Sequence, residues 1–152
     1  MAKPAAHLYV FCDVDNFVTL KLILADAGWR MFRTPIIWVN PTAMRTPWPE
    51  QGPQRKYQLV AYAVKGDRPV TQIFPDVVTY PSDDNLGHEA QKPVALYDDL
   101  LRRSVRPGST VFDPFCGSGT IFAAVHPLKC MATGIEKELP HYGVAAARLE
   151  KL

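Results

Sequence analysis

The stretch "VFDPFCGSGT", from Val111 to Thr120, contains a short apolar run that ends on an acid. A proline follows the acid, and two glycines one residue apart come soon after it. The apolar run predicts a buried strand, and Gly117 and Gly119 predict a tight turn that leads into a helix over "GTIFAAVH". In such a strand–turn–helix unit, glycines let the backbone approach a ligand closely and leave helix N–H groups to bind it. Taken alone, a G-x-G pattern is more often a plain tight turn than a ligand-binding one.

The residues on both sides of this stretch alternate between helix and strand patterns. Upstream, "KPVALYDDLLRRSVRPGS" has Pro93 in a first-turn position, and the pair Pro107-Gly108 at its other end is typical of a helix end. The stretch therefore predicts a helix. Its predicted apolar stripe consists of Val94, Tyr97, Leu101 and Val105. Downstream, "CMATGIE" predicts a strand that ends on Glu136, and "LPHYGVAAARLEKL" predicts a closing helix. This alternation indicates a parallel α/β sheet.

The first half of the chain predicts strands with a different connection. "HLYVF" (7–11) predicts a buried strand, and a helix capped by Asp13 or Asp15 and ended by Gly28 follows it. "RTPIIWVN" (33–40) and "YQLVAYAV" (57–64) predict the two strands of an antiparallel hairpin, joined by a proline-rich loop. We also expect a short strand near 77–80. One domain over 1–152 is expected, with a substrate-side half (1–65), a connecting region (66–91) and a cofactor-binding half (92–152).

Composition narrows the class of protein. Hydrophobic residues make up 47% of the 152 residues, a proportion typical of a globular domain, and the net charge is +2. Residues 1–75 carry +4 and residues 76–152 carry −2, which is compatible with a polyanionic partner or with ordinary solvated side chains. No apolar run suggests a membrane span or a secretory signal, and three cysteines at no metal-ligand spacing indicate reduced thiols. We therefore expect a cytoplasmic protein with no metal site and no membrane partner.

The two strand-end acids bear on the kind of ligand. Phe122 stands where a dinucleotide fingerprint has its third glycine, and no Gly-Lys-Ser/Thr sequence follows the turn, so both phosphate-binding interpretations are disfavoured. Glu136 ends the second strand, where an acid can accept hydrogen bonds from ribose hydroxyls, although an exposed strand-end charge is the alternative. With Asp113 at the end of the first strand, the pair suits a cationic nucleoside. S-adenosylmethionine carries a sulfonium, an ammonium group, a ribose and no phosphate.

The segment from His88 to Leu149 resembles the S-adenosylmethionine half of the DNA methyltransferases that modify adenine N6 or cytosine N4. The family pattern runs through H-x-x-x-K-P, D-P-F-x-G-S-G-T, G-I-E and a closing tyrosine and arginine-leucine helix. All of these occur here in order. Residues 8–65 resemble the substrate half in the permuted order, less strongly. The resemblance implies a Rossmann-like methyltransferase fold with a mostly parallel sheet and an antiparallel hairpin, in a bacterial or phage-encoded restriction-modification protein.

The resemblance also implies roles for individual residues. The segment with a histidine and a Lys-Pro pair would pack against the cofactor. The glycine turn would wrap the methionine part of the cofactor, with two polar residues as neighbours. The acid that ends the second strand would hold the ribose of the cofactor. The alternative for the histidine is a loop residue whose hydrogen bonds are satisfied within the protein, and the alternative for the lysine is a solvated residue at a helix start. The predicted cofactor-binding residues are His88, Lys92, Pro93, Asp113, Phe115, Gly117, Ser118, Gly119, Thr120 and Glu136.

A DNA contact is predicted in the proline-rich loop, because basic side chains alternate there with aromatic ones that suit phosphates and bases. A solvated loop is the alternative. The predicted DNA-binding residues are Arg45, Trp48, Arg55 and Lys56.

One part of the family pattern is absent. These enzymes carry an Asp/Asn/Ser-Pro-Pro-Tyr/Phe tetrapeptide that binds the target amino group and stacks on the flipped base. Adjacent prolines occur nowhere in this sequence, so no catalytic residue is assigned. The tetrapeptide ends a central strand, which would lie between the "TVFD" and "HLYVF" strands and is also expected to be missing.

A truncated enzyme is favoured over a split enzyme completed by a partner chain or a degenerate remnant. The alternative function is an inactive S-adenosylmethionine- or DNA-binding module acting with a partner chain.

Overall fold

A computed structural model describes residues 4–42, 48–83 and 91–152. The chain divides into two compact units. The first unit comprises residues 1–70 and 74–81, and the second comprises residues 71–73 and 82–152. The predicted organisation as one methyltransferase domain stays a prediction.

The first unit is built around a five-stranded mixed sheet. Its central strand β4 pairs antiparallel with β1, β2 and β3, and β3 pairs in parallel with β5. The predicted hairpin of β3 and β4 is therefore confirmed. The elements are β1 (Ala6–Cys12), α1 (Val14–Asp26), β2 (Arg30–Met31), β3 (Ile36–Val39), β4 (Tyr57–Lys65) and β5 (Val77–Thr79).

The apolar run in β4 explains its central place in the sheet. All six residues from Leu59 to Val64 are buried, so both faces of this strand are covered. A strand covered on both faces needs a continuous apolar run instead of alternation, and the sequence supplies one.

Helix α1 has the predicted boundaries. Asp13 caps its first turn, since its Oδ1 accepts the N–H of Asn16 at 2.8 Å. Gly28 follows its end at φ +77°, a conformation that glycine adopts without strain. The helix packs on the sheet through Phe17, Leu20 and Leu24, which are partly buried against a cluster of Met31, Ala61 and Ala63.

The second unit has the predicted order of helices and strands. Strands β6 and β7 run parallel, with Asp113 opposite Gly134, and α3 packs on them through Ile121, Ala124 and Val125. The deepest residue of α2 is Leu96, which lies outside the predicted apolar stripe, so this helix buries two lines of side chains instead of one. The elements are α2 (Val94–Arg102), β6 (Thr110–Asp113), α3 (Thr120–Val125), a 3-10 turn (His126–Leu128), β7 (Met131–Gly134) and α4 (Leu139–Leu149).

The predicted α/β class is confirmed, with a difference in strand direction. Three strand pairings are antiparallel and two are parallel, so the five-stranded sheet is mixed and only the pair of β6 and β7 is purely parallel. Strand β1 lies at one end of its sheet, while β6 and β7 form a sheet of two strands. Within the described ranges, no strand corresponds to the expected central one, no helix is long and apolar enough to cross a membrane, and the three cysteines are free thiols.

Candidate functional site

The turn between β6 and α3 forms the candidate site of the second unit. Gly117 has φ +52° and Gly119 has φ +74°, so both occupy the left-handed region that favours glycine. A Cβ at Gly119 would lie 2.9 Å from the Cβ of Ala145 and 3.0 Å from its Cα, because α4 passes directly behind the turn. The glycine therefore permits both the backbone conformation of the turn and its close packing against α4.

Replacing Gly119 with alanine is expected to lower the free energy of unfolding by about 2 kcal/mol, from left-handed strain and the clash with Ala145. Chemical denaturation monitored by circular dichroism measures this change. Gly143→Ala is the matched control, because among the described residues no atom outside the backbone of its own helix lies within 4 Å of a Cβ built there, and alanine is the better helix former. Equal effects of the two substitutions would contradict the packing argument.

Four backbone N–H groups of the turn are already bonded within the protein. Phe115 N–H donates to Asp113 Oδ1 at 3.0 Å, and Cys116 N–H donates to the carbonyl oxygen of Ile135 at 3.0 Å. Gly117 N–H donates to Glu136 Oε2 at 2.9 Å, and Gly119 N–H donates to the carbonyl oxygen of Cys116 at 2.8 Å. A phosphate-binding turn presents such N–H groups to the ligand, whereas these four are directed to acceptors of the protein itself.

Glu136 ties the turn to the start of α4. Its Oε2 accepts the Gly117 N–H, and its Oε1 accepts the N–H of Glu138 at 2.9 Å. These hydrogen bonds, that from Glu138 first, hold the pKa of Glu136 below its usual range, so the side chain is ionised at neutral pH. The sequence pattern predicts Glu136 at the last position of a strand, whereas β7 ends at Gly134 and Glu136 follows in the loop.

Asp113 is the second acid of the site and has the opposite shift. Burial raises the pKa of its carboxyl group above the usual range, and the charge of Glu136 raises it further, although the Phe115 N–H partly compensates. Burial and the nearby Asp113 also raise the pKa values of Tyr97 and Cys116, which are therefore neutral at pH 7. The turn thus carries two carboxylates beside a neutral phenol and thiol, an arrangement that favours a cationic ligand.

Other predicted cofactor residues take several positions around the turn. Phe115 is 86% exposed and presents its ring to solvent. Pro93 is buried at the start of α2, and Lys92 beside it is partly exposed. His88 lies outside the described residues.

The predicted polar neighbours Ser118 and Thr120 are buried, with 2% and 4% of their surfaces exposed. Ser118 Oγ donates to Gln91 Oε1 at 3.0 Å, and Arg148 Nη1 donates to Thr120 Oγ1 at 3.4 Å. Direct contact of these two hydroxyls with a ligand stays a prediction. Nothing in the local sequence indicates a role for Gln91 or Arg148, because their partners lie 27 and 28 residues away.

The predicted DNA-contacting residues lie in the loop between β3 and β4 of the first unit. Trp48 is 60% exposed and Arg55 is exposed, while Arg45 lies outside the described residues. Lys56 is exposed too, but its Nζ donates to the carbonyl oxygen of Pro41 at 2.9 Å and so helps to close the base of the loop. Arg55 is therefore the better candidate for a phosphate contact.

Comparison with known proteins identifies the family. A family model described as DNA methylase matches residues 49–146, which is more than half of the chain. The chain belongs to this DNA methylase family. The family predicted from the sequence is thus confirmed, and the match includes residues 49–56 of the loop after β3 and the whole glycine turn.

Two curated relatives support the membership of the DNA methylase family. Type II methyltransferase M.HpaI of Haemophilus parainfluenzae is 32% identical over 98 residues, which cover 64% of this chain and 31% of that protein. Type II methyltransferase M.HinfI of Haemophilus influenzae is 37% identical over 66 residues, or 43% of this chain and 18% of that protein. The matches therefore span less than a third of the length of these relatives.

Solved structures establish the fold of the DNA methylase chain. The crystal structure of the M1.HpyAVI-SAM complex superposes with a TM-score of 0.83 at 24% identity, covering 97% of this chain and 76% of that one. PvuII DNA methyltransferase (cytosine-N4-specific) superposes with a TM-score of 0.78 at 16% identity, covering 96% and 64%. The predicted Rossmann-like methyltransferase fold is confirmed by these likenesses.

Proposed function

We propose that this chain is the cofactor-binding and DNA-contacting part of a cytoplasmic DNA methyltransferase. The enzyme would use S-adenosylmethionine to methylate the exocyclic amino group of adenine or cytosine. The observation that carries the proposal is the glycine turn, whose N–H groups at residues 115, 116, 117 and 119 are bonded within the protein between two carboxylates. Such a turn disfavours a phosphate and favours a ligand that carries positive charge and hydroxyl groups.

The residues of the turn suit S-adenosylmethionine in several respects. The Asp113 carboxylate would attract the sulfonium or ammonium group. Each oxygen of Glu136 accepts one backbone N–H and retains a lone pair for a ribose hydroxyl. The exposed ring of Phe115 offers apolar surface beside the turn. When bound, the cofactor supplies the methyl group, and these residues bind and orient it.

The acceptor side of the reaction needs a group that this sequence does not contain. No Pro-Pro tetrapeptide is present to bind the target amino group. We infer that the chain alone transfers no methyl group and that a further polypeptide segment, in a longer chain or a partner chain, supplies the central strand and the tetrapeptide. The same observation favours a second candidate function, a non-catalytic module that holds the cofactor or DNA for a partner.

Isothermal titration calorimetry with S-adenosylmethionine tests the proposed function, with NAD and ATP as phosphate-bearing controls. We expect saturable binding of S-adenosylmethionine and none of the other two. Binding of NAD or ATP in its place would overturn the proposal. Incubation with labelled S-adenosylmethionine and unmethylated DNA then tests whether the chain is a complete enzyme. Clear methyl transfer by the isolated chain would show that the group that binds the target amino group is present, and would contradict both candidate functions.

A DNA contact in the loop between β3 and β4 predicts a specific salt dependence. Arg55→Ala should weaken DNA binding and reduce the slope of log K against log salt concentration by about 1, because one phosphate contact is lost. Fluorescence anisotropy with a labelled duplex at several salt concentrations measures this slope. Lys151→Ala, an exposed substitution near the C-terminus of the sequence, should leave the slope unchanged. Equal slopes for Arg55→Ala and the parent would remove Arg55 from the DNA contact.

A further inference from the structure

Two buried hydroxyl groups flank Gly119, and each is held by a side chain from another element. Ser118 Oγ donates to Gln91 Oε1 at 3.0 Å, from the segment just before α2. Thr120 Oγ1 accepts from Arg148 on α4 at the longer distance of 3.4 Å. The left-handed turn is therefore held from two sides at the residues next to Gly119.

We propose that Gln91 is a positioning residue of the cofactor site and acts through Ser118. The proposal rests on the proposed function, since it concerns the same glycine turn. Gln91 itself does not need to touch the ligand. Its carbonyl oxygen fixes the Ser118 hydroxyl and thereby the two glycines on either side of it.

The segment that carries Gln91 is well anchored within the second unit. Pro93, two residues later, is buried as the N-cap of α2. The next N–H, that of Val94, donates to Asp83 Oδ2 at 2.6 Å and so satisfies one of the free donors of the first helical turn. Gln91 can therefore transmit a fixed position to Ser118.

The position of Ser118 determines the geometry on which the ligand depends. Gly117 precedes it and donates its N–H to Glu136 at 2.9 Å, so a displacement of Ser118 moves this contact. A buried hydroxyl that loses its acceptor must shift or remain unsatisfied, and binding sites tolerate displacements of only about 0.5 Å. Loss of the Gln91 oxygen should thus reach Glu136 through Ser118 and Gly117.

Two substitutions at Gln91 separate positioning from packing. Gln91→Met keeps the length of the side chain and removes the acceptor, and we expect about tenfold weaker binding of S-adenosylmethionine, as for one lost hydrogen bond. Gln91→Glu keeps an oxygen acceptor and should bind within about threefold of the parent. Gln72→Met makes the same change at an exposed glutamine of the second unit and should have no effect. If Gln91 only fills space, Gln91→Glu should not bind S-adenosylmethionine better than Gln91→Met does.

Hydrogen exchange of the Gly117 and Gly119 amides in the ligand-free chain, measured by NMR, gives a second readout. Both amides should exchange faster in Gln91→Met and at the parental rate in Gln91→Glu. If the parent does not bind S-adenosylmethionine, the proposed function fails and the exchange rates still decide the role of Gln91. Parental exchange rates in Gln91→Met would overturn the positioning role, as would parental affinity where the parent binds. Ser118→Ala should reproduce the effect of Gln91→Met, and the double substitution should add little to either.

Discussion

Replacing Asp113 with asparagine is expected to weaken the binding of S-adenosylmethionine by about 100-fold, because a charge-assisted contact to a cationic ligand is lost. The substitution is nearly isosteric. The amide oxygen of asparagine can still accept the Phe115 N–H that Asp113 accepts at 3.0 Å, so the turn should keep its shape. The loss should therefore report the missing charge, and calorimetry measures it directly.

The same substitution is expected to leave thermal stability unchanged or raise it. Burial holds the pKa of Asp113 above its usual range, so the folded state binds the proton more tightly than the unfolded state does. The stability that this proton confers is complete at low pH and is lost as the pH rises through the raised pKa. At neutral pH the parent carries an unfavourable buried charge that asparagine removes, and the difference should shrink at acid pH.

Cofactor affinity should follow the ionisation of Asp113 in the parent. As the pH falls through the raised pKa, the carboxylate is neutralised and affinity drops, beginning at a less acidic pH than for an ordinary aspartate. The Asp113→Asn profile should lack this step. Asp98→Asn is the control, because Asp98 forms an ion pair with Arg102 on the exposed side of α2. If Asp113→Asn binds S-adenosylmethionine with the affinity of the parent, Asp113 is excluded from the site.

Local signals in the sequence explain which features could be predicted. Asp13 and Gly28 mark the two ends of α1, glycines mark the turn at Gly117, and apolar runs mark β4 and β6, so these elements follow from short stretches of sequence. Strand β2 has only two residues, too few for any periodic pattern. It forms because Arg30 and Met31 can pair with β4, a tertiary effect that no local signal announces.

The site could be predicted in part for the same reason. Asp113 and Glu136 are found because each follows an apolar run. The bond from the Gly117 N–H to Glu136 could not be predicted, since it depends on how the loop after β7 meets the turn 19 residues earlier. The contact between Gln91 and Ser118 likewise joins separate segments. Sequence patterns identify which groups are available, and only the folded backbone decides which of them meet.

Glu136→Gln is expected to lower both cofactor affinity and stability, in contrast to Asp113→Asn. The carboxylate accepts a backbone N–H at each oxygen, from Gly117 and from Glu138. An amide has only one oxygen, so its NH₂ group would face one of these donors and break the tie between the turn and α4. We expect about 30-fold weaker binding of S-adenosylmethionine, from the lost acceptor and the displaced turn together.

The pH dependence of stability distinguishes this acid from Asp113. Hydrogen bonds hold the pKa of Glu136 below its usual range, so its contribution to stability is present above the unfolded-state pKa and is lost as the pH falls through the folded-state pKa. Thermal unfolding of parent and variant should differ at neutral pH and converge at acid pH. Glu150→Gln, an exposed change just after α4, should match the parent throughout. If Glu136→Gln lowers stability and leaves cofactor affinity unchanged, Glu136 only stabilises the turn. If the substitution lowers both stability and cofactor affinity, the same carboxylate stabilises the turn and binds the ligand.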